Sequence, residues 1–117
     1  AAPAISLPSF TALNTAFCND VDPELIFAQG LMGLGKKDDI LLCISTSGNS
    51  KNVVAAALTA KALGLKTIGL TGKTGGRLKS ICDICICVPE TETFKVQELH
   101  LPVYHYLCSR VEKELFK

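Results

Sequence analysis

Ser45-Thr46-Ser47-Gly48-Asn49-Ser50 sets four hydroxyls, an amide and a glycine between an apolar run and a helix-like stretch. Each hydroxyl can donate to an anion's oxygens. Gly48 lets the backbone come close to a ligand, and Ser50 is placed to cap the helix that follows. The first N–H groups of that helix lack intrahelical partners and carry a partial positive charge, which suits a phosphate. Lys51 stands just inside the helix and can add charge. The residues alone leave two readings open: a phosphate cradle and a polar helix cap.

Other reactive groupings reduce to structure. Gly72-Lys73-Thr74 matches the end of a P-loop, but the full pattern needs a glycine at position 67, which is Thr67. That turn reads as a tight connection permitted by Gly72, Gly75 and Gly76. Six cysteines are present, and Cys82 and Cys85 form a C-x-x-C. No second C-x-x-C and no nearby histidine completes a zinc site there. The cysteines read as small apolar residues of a core, with Cys85 and Cys87 on one face of a strand and Cys82 on the other. Free thiols without a secretion signal point to a reducing cytoplasm. Taken by itself, His105 reads as a structural histidine.

These residues need elements to position them. Ala4 to Leu7, between Pro3 and Pro8, reads as a short strand, and Thr11 to Cys18 as weakly helical. Asp22 is placed to cap a helix with Pro23 at its first position and Glu24 on its dipole. Gly33 or Gly35 ends that helix. Ile40 to Ile44 has nothing polar inside it, as in a parallel strand buried on both faces. Ser50 to Leu63 is a helix stopped by Gly64. Lys66 to Leu70 is a strand, Arg77 to Ser80 a short helical piece, and Ile84 to Val88 the last strand. Thr93 to Phe116 reads as one long helix, interrupted by Pro102. Strands alternating with helices imply βαβ units, a parallel sheet and an α/β fold of three layers, an αβα sandwich. Ligands of such sheets bind at the carboxyl ends of the strands, where both polar turns fall.

The 117 residues suit one domain, residues 1–117. A hydrophobic content of 48% supplies a core and argues against disorder. A net charge of +1 argues against nucleic acid or a membrane surface as partner. No apolar run reaches the ~18 residues of a membrane span, and Ala1 to Ile5 lacks the features of a signal peptide.

"STSGNS" after a buried strand resembles the phosphate-binding signature of the SIS (sugar isomerase) domain family, and within it the phosphoheptose isomerases. "LTGKTGG", "CICVPETETFKVQELH" and "LPVYHYLCSRVEKELF" extend the resemblance from about Pro3 to Phe116. The resemblance implies a flavodoxin-like SIS fold. It implies an aldose–ketose isomerisation of sedoheptulose 7-phosphate or a similar phosphosugar through an enediol. Carried over, Ser45, Thr46, Ser47 and Ser50 bind the phosphate, and Asp20, in an Asn19-Asp20 pair, contacts the sugar. Asp20 also reads as a helix-start cap. Gln97 and His105 match two zinc ligands of the family, and His105 its proton-transfer histidine. Glu98 shares roughly the helix face of His105 and can orient it.

Gln97 and His105 are eight residues apart, which is ~12 Å along a straight helix with a turn of about 80°. Long side chains lean together, the helix bends at Pro102, or the two serve different sites across a subunit interface; the sequence leaves these alternatives open. His100 reads as a flanking residue.

The family's opening helix, its first strand with a Gly-Asn-Gly-Gly-Ser turn, and a helix bearing His and Glu have no counterpart here. The expectation is the carboxy-terminal part of a longer protein, missing the family's first strand and catalytically incomplete alone. The alternative function is a noncatalytic SIS module that binds a sugar phosphate or a protein partner. Either way the resemblance implies a homo-oligomer, dimer or tetramer. The apolar residues Leu99, Val103, Tyr104, Leu107, Val111 and Leu115 of the last helix are its candidate surface, or else they pack on the sheet.

Overall fold

The structure is a computed structural model and describes residues 2–117. Three parallel strands form its sheet in the order β1 (Ile40–Ile44), β2 (Lys66–Thr71), β3 (Ile84–Cys87). Ile40 pairs with Lys66 and Ile68 with Ile84, so register is continuous across the sheet. Ahead of β1 come a 3-10 turn at Leu7–Ser9, a π-helical stretch Leu13–Phe17, the short α1 (Cys18–Asp20), a 3-10 turn Pro23–Leu25 and α2 (Ile26–Leu34). α3 (Lys51–Leu63) connects β1 to β2, α4 (Leu78–Ile81) connects β2 to β3, and α5 (Thr93–Leu115) follows β3. This is the expected α/β class with parallel crossovers.

Local chemistry accounts for most boundaries. The Asp22 carboxylate accepts from the Glu24 N–H at 2.8 Å, and Pro23 follows it at the first helical position. Gly35 ends α2, its N–H donating to the Leu31 carbonyl at 2.7 Å. Gly64 ends α3 in the left-handed region at φ 82°, a conformation other L-residues rarely adopt.

Alternation along the strands divides the sheet into two faces. Leu41, Cys43, Thr67, Gly69, Thr71, Cys85 and Cys87 share one. On it Cys43 packs with Val54 and Ala57 of α3 and Leu78 of α4 into one core cluster. Leu31 of α2, Ala60 of α3 and Leu65 form a second cluster beside it. The opposite face carries Ile40, Leu42, Ile44, Ile68, Leu70, Ile84 and Ile86. Leu70 is fully buried there, whereas Ile40 is 66% exposed.

Four expectations are corrected. Ala4 to Leu7 is not a strand; Pro3 and Pro8 lack N–H groups, and the segment has no strand to pair with in a sheet that starts at β1. β1 is not buried on both faces, because no helix covers Ile40, Leu42 and Ile44. α5 runs unbroken through Pro102 from Thr93 to Leu115. Cys82 lies on the Cys85 side of the sheet: a Cβ on Gly69 would stand 3.1 Å from Cys85 Sγ and 3.3 Å from Cys82 Sγ. Cys82 is the residue that ends α4, before β3 begins, so strand alternation does not extend to it.

Candidate functional site: a hydroxyl turn held by a second turn

The hydroxyl turn lies where β1 gives way to α3, at the carboxyl end of the sheet. Ser45 is buried, and its N–H extends the ladder to the Leu70 carbonyl at 3.1 Å. Its Oγ is 2.8 Å from Ser50 Oγ. That bond occupies Ser50, which stands at the start of α3 without capping it through its side chain. The expected Ser50 cap is therefore replaced by a hydroxyl pair. One hydroxyl of the pair donates to the other, and one proton stays available to a ligand. Ser47 is exposed, and its hydroxyl accepts from the Asn49 N–H at 3.1 Å, which leaves its own proton to donate. Thr46 is half-buried, and its carbonyl accepts from the Gly72 N–H at 2.9 Å.

No acidic residue occupies the first turn of α3, so its N–H groups face no fixed negative charge there. Lys51 does not turn toward the cradle. Its Nζ donates to Glu24 Oε1 at 2.9 Å, and both side chains are largely exposed. Glu24 thereby pushes the Lys51 pKa upward.

The second polar turn backs the first. Gly48 has φ 70°, and a Cβ there would fall on the Gly75 carbonyl. Asn49 is the residue the sequence reading missed. Its Oδ1 accepts from the Arg77 N–H at 2.9 Å, and its Nδ2 donates to the Ser47 carbonyl at 3.3 Å. Beside it the Leu78 N–H donates to the Gly48 carbonyl at 3.1 Å. The free amides that open α4 are thus spent on the cradle. The only signal in the sequence is an Asn after a turn glycine, where side chains commonly bond backbone.

The remaining expected residues sit apart from this turn. Asp20 is exposed at the last position of α1, and the capping alternative falls to Asp22 instead. Gln97, Glu98 and His105 are exposed on α5. The His105 ring meets Tyr104 edge to face at 5.1 Å. Because α5 is continuous, Gln97 and His105 remain ~12 Å apart along its axis. Among the described residues no group of three His, Cys, Asp or Glu is placed to hold a metal ion. Two donors on one helix are half the set that a tetrahedral zinc takes, so these residues by themselves do not fit zinc. The cysteine cluster is apolar core: burial, first, and Cys82, second, push the Cys43 thiol up to about 12.

Fold and turn together define a parallel α/β domain with a hydroxyl-rich turn at a strand-to-helix junction. The chain belongs to the SIS domain family, whose profile matches residues 11–109. It is 49% identical over 111 residues to a phosphoheptose isomerase of Nitratiruptor, covering 95% of this chain and 59% of that protein. A phosphoheptose isomerase of Clostridium acetobutylicum is 45% identical over 116 residues, covering 99% and 59%. The solved phosphoheptose isomerase of Francisella tularensis superposes with a TM-score of 0.90 at 39% identity, over 95% of this chain and 60% of that one. That of Neisseria gonorrhoeae gives 0.91 at 34% identity, over 94% and 61%. The chain thus spans about three-fifths of the length of these relatives.

Proposed function

We propose that this chain is the phosphate-binding part of a sugar-phosphate isomerase. The substrate is sedoheptulose 7-phosphate or a similar phosphosugar, interconverted between ketose and aldose. One observation carries the reading: a cradle rich in hydroxyls and free of acid, at the start of α3, in a chain similar throughout to phosphoheptose isomerases. Ser45, Thr46, Ser47 and Ser50 hold the phosphate, and Asp20 contacts the sugar. Residues 1–117 act as one domain in the cytoplasm, where all six cysteines stay as thiols.

The reaction moves a proton between adjacent carbons. A base takes a proton from the carbon beside the carbonyl, an acid protonates the carbonyl oxygen, and an enediol results. Return of a proton to the former carbonyl carbon, with loss of the hydroxyl proton on the carbon first deprotonated, makes that carbon the new carbonyl and gives the isomer. An imidazole suits either role near neutral pH, and His105 takes one of them; its partner is supplied from outside these residues. Zinc enters this proposal only with further ligands from outside them, joined to Gln97 and His105, and would polarise the sugar oxygens when bound. A homo-oligomer, dimer or tetramer, is part of the same reading, with α5 at the interface.

The test uses the protein at the full length of its relatives, supplied with zinc and a ketose 7-phosphate. We expect aldose to appear, and His105→Gln to lower kcat by about 100-fold or more, as loss of a general acid–base does. No turnover of any ketose or aldose phosphate by the parent would refute the isomerase reading.

A further inference from the structure

We propose that His100 is a positioning residue. Through Nε2 it fixes the seat and rotation of α5 on β2, and so sets where Gln97 and His105 stand relative to the cradle. This rests on the isomerase reading above.

α5 has 23 residues, yet only Val96 and His100 are buried. They are four apart, so they lie on one side of the helix. Val96 makes an apolar contact: a Cβ on Gly72 would stand 3.1 Å from Val96 Cγ2. His100 is 2% exposed, with Nε2 3.0 Å from the Thr71 carbonyl oxygen. A carbonyl only accepts, so the proton is on Nε2. The same oxygen accepts from the Val88 N–H at 3.0 Å, which ties β2, the exit of β3 and α5 at one atom. The next residue, Gly72, donates to the Thr46 carbonyl of the cradle at 2.9 Å. The path from α5 to the phosphate turn is therefore two hydrogen bonds and one peptide long.

The other ring nitrogen points to the purpose of the side chain. Nδ1 is buried with no partner among the described residues. An unpaired buried acceptor costs stability, and a leucine would fill the space without it. What leucine lacks is the directed N–H. An apolar contact alone permits slippage of a helix, and a one-residue slip turns its side chains by about 100° and moves them ~1.5 Å. Gln97 and His105 would move with it, while the cradle, built on α3, would not.

The test compares His100→Leu with His100→Gln, whose amide N–H reaches the same carbonyl, in the protein at the full length of its relatives. We expect the Leu variant to lose roughly 30- to 100-fold in kcat, as misplaced catalytic groups do. Its KM for the phosphosugar should stay within about twofold, since ground-state binding is untouched. The Gln variant should recover most of kcat. Parental kcat in the Leu variant, or equal loss in Leu and Gln variants, overturns the proposal. If the Leu variant does not fold, nitrogen-15 NMR of the parent ring decides: a slowly exchanging proton on Nε2 supports it, and a ring protonated on Nδ1 alone overturns it. A parent inactive on every phosphosugar refutes the isomerase reading separately. The tether is then judged by amide exchange in α5, which must quicken in the Leu variant and not in the Gln variant.

Discussion

Asn49 spends one side chain on two turns. It holds the Ser47 carbonyl and takes the Arg77 N–H, while its own N–H sets the Ser47 hydroxyl. Asn49→Ala removes both side-chain bonds. At about 1 kcal/mol net for each bond, phosphate affinity should fall by roughly fivefold if half of that cost reaches the cradle. Titrating inorganic phosphate against the amide signals of residues 46–50 measures it, and unchanged affinity would detach the second turn from the site. Asp83 offers a pH test. The Thr67 N–H, first, and the Thr67 hydroxyl, second, hold its carboxyl below the usual range. A depressed carboxyl contributes stability above its unfolded pKa, ~3.9, and loses that contribution as pH falls through the folded value. Asp83→Asn should therefore lower the melting temperature at pH 7 and converge with the parent in strong acid. Cys43, with its thiol pushed up to about 12, should resist iodoacetamide until the chain unfolds, while the exposed Cys108 reacts first. Mass spectrometry of briefly labelled protein checks the order.

At the scale of elements, the junction of β1 and α3 depends on glycine in a way that α2 does not. Gly48 combines φ 70° with a Cβ position blocked by the Gly75 carbonyl. Gly48→Ala should cost roughly 1–3 kcal/mol from backbone strain alone, and more from the clash. Gly33, inside α2, has nothing within 4 Å of its Cβ position. Gly33→Ala should then gain up to about 1 kcal/mol from helix propensity. Urea melts of the two variants should move in opposite directions. The same contrast explains what was legible beforehand. Strands β1 to β3, α3 with its Gly64 stop, and the Asp22 cap follow from neighbours a few residues away, so pattern alone finds them. The hydroxyl turn was visible because its residues are contiguous. Asn49 and His100 were not, because their partners are backbone groups 28 and 29 residues away that any side chain could front. Ala4 to Leu7 failed as a strand for a related reason: extended propensity gives no ladder without a partner. Ser50 has the right type to cap α3, but Ser45 competes for its hydroxyl.

At the scale of the molecule, two apolar surfaces remain uncovered. One is the sheet face of Ile40, Leu42, Ile44 and Ile84, all well exposed. The other is the far half of α5, where no residue beyond His100 is buried. Leu107 and Val103 are half-covered, while Val111 and Leu115 stand more than half exposed. The radius of gyration, 14.4 Å, exceeds the ~13.4 Å expected for a compact chain of this length, as a projecting helix requires. Packing on the sheet therefore does not account for the apolar residues of α5, and the proposed homo-oligomer would cover them. Contiguous exposed apolar surface of this kind marks association, and the two surfaces can be separated by where a charge is placed. Leu107→Lys with Val111→Lys puts two ammonium groups in an α5 interface, where burying them unpaired is prohibitive. Leu42→Lys charges the sheet face and leaves α5 intact. Sedimentation at micromolar concentration should show the parent as more than one 12.5 kDa chain. The double variant should then sediment as a monomer while Leu42→Lys stays associated. A monomeric parent would refute the oligomer; dissociation by Leu42→Lys alone would move the interface from α5 to the sheet.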